Sequence, residues 1–359
     1  MRPANTTSSS PLAVARQDSN PNPQNVSEAP PREGLRVADT SAMKVARVAP
    51  SFTFTFADGS FSKWDVPTWQ VNVVESRYRY SMPKYAVQAK HKGILTKNDH
   101  QILMTVAVAK ALTEHQIRRA CKPLTNSTIN KRVDMLETWG LIERRKFNGE
   151  RDPEQQYPGI ITLTDTGKDY IRLTMPGTHC MGSSDFLKSP KLPINLIATN
   201  EIKLQLIEAN ALLSWEEHSQ LTTFGRVAST ASFALPDGPF SLVIERISSM
   251  AKIDQYLSQR IPLYSQYAQN QERLMDEDFA LLFVVPSDAC IQQLIQTYHI
   301  HELANTHKEF YPYVWFISHE RLFSPLGFQQ GILGIGKESI HPVPLSFGNA
   351  DDFQGGEGE

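Results

Sequence analysis

Cysteine is scarce in this 359-residue sequence: Cys121, Cys180 and Cys290 stand far apart, with no C-x-x-C pair and no close Cys/His run. A disulfide framework and a structural zinc site both lack the spacing they need. Basic residues are not in excess either. The 36 Lys and Arg face 38 Asp and Glu, a formal charge of −2, which excludes a globally basic coat protein and leaves only local charge to argue for nucleic acid. Nowhere do about 18–20 apolar residues run together, and the N-terminus lacks the apolar stretch of a secretory signal. The expectation is a soluble cytoplasmic protein with no membrane partner. Phosphate-cradling and nucleophile motifs are missing as well: there is no G-x-x-x-x-G-K-[ST], G-x-G-x-x-G or G-x-S-x-G. No cofactor is expected.

The ends are poor in periodic aliphatic residues. Residues 1–50 are rich in Pro, Ser, Asn and Thr and read as a disordered tail, and the chain from about Phe347 to the end, closing in DDFQGGEGE, reads as an acidic tail. Between residues 51 and 84, Phe52, Phe54 and Phe56 alternate with Ser and Thr before Asp58-Gly59, and a second extended run covers Trp69 to Tyr80. This period-2 pattern predicts a hairpin arm that closes a local core.

From Thr96 the period becomes helical. Ile102, Leu103, Val106 and Ala109 to Leu112 predict one helix with Asn98 as its cap, and Thr113 to Gln116 open a second, short one. Thr125-Asn126-Ser127 then cap a third, with Ile129, Val133 and Leu136 inward and Gly140 closing it. Strands follow at Leu141–Phe147 and Ile160–Leu163, and another helix starts at Thr164. Three helices, a hairpin and a helix over residues 85–175 are the order of a winged helix-turn-helix. After a linker at 176–198, residues 199–325 alternate as helix (Glu201–Leu213), strands near Leu221–Val227, Ala231–Leu235 and Phe240–Ile244, helix (Lys252–Tyr267), strand (Phe279–Val285), helix (Ala289–Leu303) and strand (Tyr313–Ile317). That order predicts an α/β domain with a mixed sheet, followed by an extension and tail at 326–359.

In a winged helix the third helix turns its outer face to the major groove. With Ile129 at zero, 100° per residue puts Lys131 near ~200°, Ser127 near ~160° and Asp134 near ~140°, with Asn130 and Thr128 flanking. These are groove-reading types: Asn pairs with adenine, Ser and Thr serve several base edges, and Lys reaches guanine or phosphate. Arg144, Arg145 and Lys146 on the first wing strand are expected at phosphates. Arg132 is counted with these DNA contacts, although at ~300° it sits near the core edge, where its stem can instead cover apolar surface. Between Thr113 and Lys146 eight basic residues face four acidic ones, a local basic patch in a chain of net negative charge.

The runs LTKNDHQIL, ALTEHQIRRAC, STINKRVDMLETWGLIERR and ITLTDTGKDYI resemble the winged-helix part of the replication-relaxation family of bacterial plasmids and mobile elements. The resemblance covers about Leu95 to Ser318. It implies a second domain similar to PD-(D/E)XK (restriction-endonuclease-like) nuclease folds. A nuclease of that kind needs two carboxylates on neighbouring strands and a Lys two positions after the second. Glu245 matches the second carboxylate, but Ile247 stands where the Lys belongs, and Arg226–Ser232 offers no carboxylate. Pro236-Asp237 fits a hairpin turn better than a metal site. His299 and His301, two residues apart in a predicted helix, fall on different faces.

The sequence therefore predicts a non-catalytic, sequence-specific protein that binds double-stranded DNA and acts in initiation or control of plasmid or mobile-element replication or transfer. A homodimer and a replication or transfer protein are the further partners this reading admits. Two alternatives remain beside it: a metal-dependent nickase using Glu245, and a ligand-sensing winged-helix transcription regulator.

Overall fold

The computed structural model describes residues 54–55, 61–62, 70–73, 82–148, 159–187, 192–217, 220–222, 225–227, 229–247, 253, 255–260, 262–264, 279–297, 314–335 and 340–354. The tail expected at 1–50, much of the arm, the loop after Asn148, His299, His301 and the last residues after Gln354 lie outside them.

In the arm, β1 (Phe54–Thr55) pairs antiparallel with β2 (Phe61–Ser62), as the hairpin pattern predicts. The second extended run supplies β3 (Gln70–Val73), and α1 (Pro83–His91) follows. Thr96 caps α2 (Lys97–Ala109): the Thr96 hydroxyl accepts from the Asp99 N–H at 3.4 Å, and the Asp99 carboxylate accepts from the Thr96 N–H at 2.7 Å. This reciprocal box, two residues before the expected cap Asn98, fixes the helix start. The helical period that runs on through Leu112 in the sequence is cut at Ala109. Lys110 takes φ 66° and ψ −40°, and Ala111–Thr113 leave the helix as strand β4.

A second capping box, Thr113 with Gln116, opens α3 (Glu114–Ala120). Thr125 caps α4 (Asn126–Thr138), which buries Ile129, Val133 and Leu136 as its period predicts, and Gly140 at φ 65° turns the chain out. Strands β5 (Ile142–Asn148) and β6 (Ile160–Leu163) return as a hairpin, and α5 (Asp165–Thr174) closes the module against α1. The sheet order is β3-β5-β6-β4, so the arm contributes an edge strand.

The stretch expected as a linker instead carries α6 (Ser183–Leu187) and the first turns of α7 (Leu192–Glu208). Helix α7 begins at Leu192 rather than Glu201, and Leu212 and Leu213 belong to β7 (Leu212–Glu217). Its N-terminal half packs Ile194, Leu196 and Ile197 on Ala111 of β4, Ile160 of β6 and Phe186 of α6. Its later residues Ala198, Ile202 and Leu206 pack under the second sheet. A helix apolar all round is one buried all round. Asn200 Nδ2 donates to the carbonyls of Ala109 and Ala111 at 2.9 and 2.8 Å, and so holds the two residues flanking the strained Lys110.

The second sheet is mixed and seven-stranded, in the order β15-β14-β13-β12-β11-β10-β7. Its centre, β11 (Gly238–Arg246), β12 (Phe279–Val285) and β13 (Val314–Ser318), is parallel, and the flanks are antiparallel. Strand β10 (Ser229–Leu235) reaches β11 through the Pro236-Asp237 turn, which confirms the hairpin expected there. A separate two-stranded ribbon, β8 (Gln220–Thr222) with β9 (Gly225–Arg226), lies between β7 and β10 in sequence. Phe233, Phe240 and Trp315 face α7, with Phe240 and Trp315 stacked at 5.2 Å. Phe283 and Phe316 face the opposite side, with Leu257 of α8 (helical at 255–260 and 262–264) and Leu294 of α9 (Asp288–Thr297).

The part expected as extension and tail is folded up to Gln354. Strands β14 (Leu333–Ile335) and β15 (Ile340–Pro342) complete the sheet. Phe347 lies at 6.0 Å from Phe233, ring to ring, and the Gly348 N–H donates to the Ala234 carbonyl at 2.9 Å. Aliphatic periodicity is low here because the segment is held by backbone bonds and one aromatic anchor.

Asn200→Ala strips the Ala109 and Ala111 carbonyls of their donor, and is expected to cost about 1–3 kcal/mol of stability. Urea unfolding of the full chain measures it; an unchanged midpoint would remove Asn200 from this role.

Candidate nucleic-acid interface

Helix α4 presents the face that its period assigns to solvent. Asn126, Ser127, Asn130, Lys131 and Asp134 are exposed, and Thr128 is partly so. The Thr128 hydroxyl lies 2.9 Å from that of the cap Thr125, so it takes part in closing the helix start. Asn130 Oδ1 accepts from Arg118 Nε and Nη2 of α3, at 3.2 and 3.1 Å, which fixes the amide and leaves its two N–H donors pointing away from that contact. Ser127 and Lys131 make no hydrogen bond or ion pair among the described residues.

The wing arginines are placed otherwise than expected. Arg144 points back onto the helices: it meets Glu114 of α3 at 2.9 Å, Asp134 of α4 at 2.6 Å, and Glu137 of α4. Burial alone would lower its pKa, and the carboxylates outweigh that and hold it above the ordinary guanidinium value. Its charge is spent inside the module. Arg145 lies on the opposite side of β5 and is buried. It pairs with Glu143, donates to the Thr162 hydroxyl at 3.0 Å and stacks its guanidinium 4.9 Å above the Phe186 ring. Neighbouring strand residues face opposite ways, and here α6 covers one face while α3 and α4 cover the other, so neither arginine meets solvent as a free cation. Arg132, expected among the DNA contacts, instead turns to the buried Asp99 of α2 at 3.5 Å and to Met135, because its place near the core edge brings it to α2. Lys146 lies on β5 with its side chain outside the described residues.

The basic patch is therefore compensated in three dimensions. Arg119 forms a fork on Glu208 of α7, with contacts of 2.6 to 3.1 Å, and reaches Glu201 at 2.5 Å; Lys122 also approaches Glu208, at 3.3 Å. Asp99, Glu201 and Glu208 lie outside the Thr113–Lys146 window, so a count along the chain misses them. Their signal in the sequence is the helical spacing of Glu201 and Glu208, two turns apart on one face of α7.

In the α/β domain, Glu245 accepts from Tyr256 and, at 2.6 Å, from Arg260 of α8. That carboxylate is already neutralised by Arg260, and Ile247 is buried where a nuclease of this kind would place a lysine. These residues do not fit a catalytic metal. Among the described residues, no group of three His, Cys, Asp or Glu side chains is arranged to hold one.

One homologous stretch runs through most of the first module and into the second. Residues 103–269 match the replication-relaxation family. The match runs from α2 into the segment after α8, just under half of the chain. It agrees with the resemblance carried by the helix-to-wing motifs. No curated protein and no solved structure matches the chain. No helix among the described residues is long and apolar enough to cross a membrane.

Two outcomes follow. Arg145→Ala removes the one cation that pairs with the buried Glu143 among the described residues and leaves it with hydroxyl donors from Thr162 and Ser183, and is expected to destabilise the fold by about 3–5 kcal/mol, whereas the exposed Lys131→Ala leaves the urea midpoint unchanged; equal midpoints for the two variants would contradict the burial of Arg145. His319, after β13, has its pKa pushed down to about 3 by burial and by the charge of Arg246. It stays neutral in the folded chain but protonates near its ordinary 6.5 when unfolded, so its contribution to stability is full above 6.5 and is lost as pH falls toward 3. His319→Gln is expected to flatten the stability curve in that window, measured by urea unfolding at stepped pH; an unaltered slope contradicts it.

Proposed function

We propose that this chain is a sequence-specific DNA-binding protein of a plasmid or other mobile element, acting in initiation or control of replication or transfer without catalysis of its own. The observation that carries the reading is the open polar face of α4. In the order α2, β4, α3, α4, β5, β6, which is the element order of a winged helix, α4 is the helix that enters the major groove. It keeps Ser127, Asn130 and Lys131 toward solvent, while the arginines beside it on α3, α4 and β5 are held in ion pairs. The pairing of Glu245 with Arg260 and Tyr256 supports a role for the α/β domain as scaffold rather than as nuclease.

Compensation of the arginines changes the kind of binding expected. Lys131 and a small number of other cations can neutralise about two or three phosphates, which gives a slope of log K against log salt of about −2 to −3. Fluorescence-polarisation titration of the full chain on random duplex DNA across a salt series measures this. Lys131→Ala is expected to weaken binding by about 1–3 kcal/mol. A chain that binds no duplex at low salt, or a variant that binds as the parent does, would overturn the assignment of α4. Supercoiled plasmid incubated with the protein and Mg²⁺ is expected to stay intact; nicking that Glu245→Ala abolishes would establish the nickase instead.

A further inference from the structure

A cleft of about 640 Å³ opens where the two modules meet, lined by Val108 and Lys110 at the end of α2, Met181 before α6, Lys203 of α7, and Trp215 and Glu217 of β7. This volume is in the ordinary range for small-molecule sites, and the junction of two modules is a common place for them. Its electrostatics are lopsided. Lys110 pairs with Glu217, and Lys203, half-buried and 5.5 Å from the Trp215 ring centroid, has no hydrogen-bond acceptor among the described residues. Strand register puts Trp215 opposite Ala231 and Glu217 opposite Ser229, whose partners on β11 are Leu242 and Ile244. Alternation then sets Arg246 on the same sheet face, one step beyond Glu217. Arg246 is deeply buried, and its Nε and Nη1 lack acceptors among the described residues. The charge of Glu217 acts on Lys203 and Arg246 as well as on Lys110. Glu245, which also acts on Arg246, faces the other side and is bound by Arg260. One carboxylate, paired with Lys110, thus faces two further cations that its charge reaches but does not pair.

The backbone points to the same place. Lys110 holds φ 66° with a bulky side chain, close to the strained γ-turn, and it does so at the cleft wall. Non-glycine strain of this kind gathers at ligand sites.

We propose that the cleft binds a small organic phosphate of mononucleotide size. The phosphate would meet Lys203 and Lys110, which supply the several donors that one oxyanion accepts. A ribose hydroxyl would donate to Glu217 once Lys110 shares its charge with the ligand, and the flat base would lie against Val108, Met181 and the edge of Trp215. The inference does not depend on the DNA-binding reading.

Isothermal titration calorimetry of the full chain with AMP, GMP, CMP and UMP, in the absence of DNA, tests it, with adenosine and inorganic phosphate as controls. At least one of the four monophosphates is expected to bind saturably, with both controls weaker by about tenfold or more. Lys203→Met keeps the aliphatic stem and removes the charge; Lys110→Gly removes the charge and suits the backbone, so the fold stands. Each is expected to weaken binding by about tenfold or more. No binding by any of the four overturns the proposal, as does inorganic phosphate binding equally well, which would leave an anion site alone, or unchanged affinity in both variants.

Discussion

Helix α7 is the constraint on which the rest of this structure depends. It is buried along most of its length, between the small sheet of the first module and the large sheet of the second, with Ile207 and Glu208 exposed at its end, and a helix in that position must satisfy polar groups on both. It does so with few residues: Asn200 to the backbone around Lys110, and Glu201 to Gln116 at 2.9 Å and Arg119 at 2.5 Å. Gln116 also donates to the Ile197 carbonyl at 3.0 Å while its other amide atom caps α3. One amide side chain therefore fixes where α3 starts and where it docks. The two modules share this helix and cannot unfold through it separately, since removing α7 would expose Ala111, Ile160 and Phe186 together.

This arrangement decides which surfaces remain open. The side of α3 that bears Arg119 and Lys122 is taken by Glu201 and Glu208, and the two faces of β5 are covered by α4 and α6. On α4 the polar stripe stays outward. Hydrogen-bonding side chains on a rigidly held helix favour recognition by base contacts over binding by charge alone. The network Arg118–Glu114–Arg144 with Asp134 and Glu137 stiffens that stripe further, because it links α3, α4 and β5 through charge-assisted bonds.

Local periodicity in the sequence was enough to read α4, β12, β13 and the β10–β11 hairpin to within a residue or two, because each is governed by a core-facing repeat and a turn or cap of known chemistry. It was not enough at Lys110, where tertiary bonds from Asn200 cut a helix that propensity would continue. It missed the start of α7 too, since a helix apolar on every side shows no amphipathic period, and it missed the folded C-terminal segment, which is held by backbone bonds. The site suffered most from distance along the chain. Ser127, Asn130 and Lys131 are on the face expected of them, whereas Arg144 and Arg145 were assigned to phosphates because their neutralising partners, and the helix that covers Arg145, come from other elements. The cleft residues come from α2, the α5–α6 connection, α7 and β7, and no local pattern joins them.

Lys110 ties these threads together. It is the single residue between α2 and β4, its strained backbone is clasped on both sides by Asn200, and its ammonium crosses to Glu217 on the large sheet. Releasing the side chain from Glu217 would remove the cross-module ion pair while leaving the strain, which costs of the order of 1–3 kcal/mol. The turn would then favour relaxing toward ordinary helical or extended values, and β4 leads directly into the capping box of α3. The angle at which α3 and α4 are presented is therefore coupled, through one peptide and one amide side chain, to whatever occupies the charges at the mouth of the large sheet.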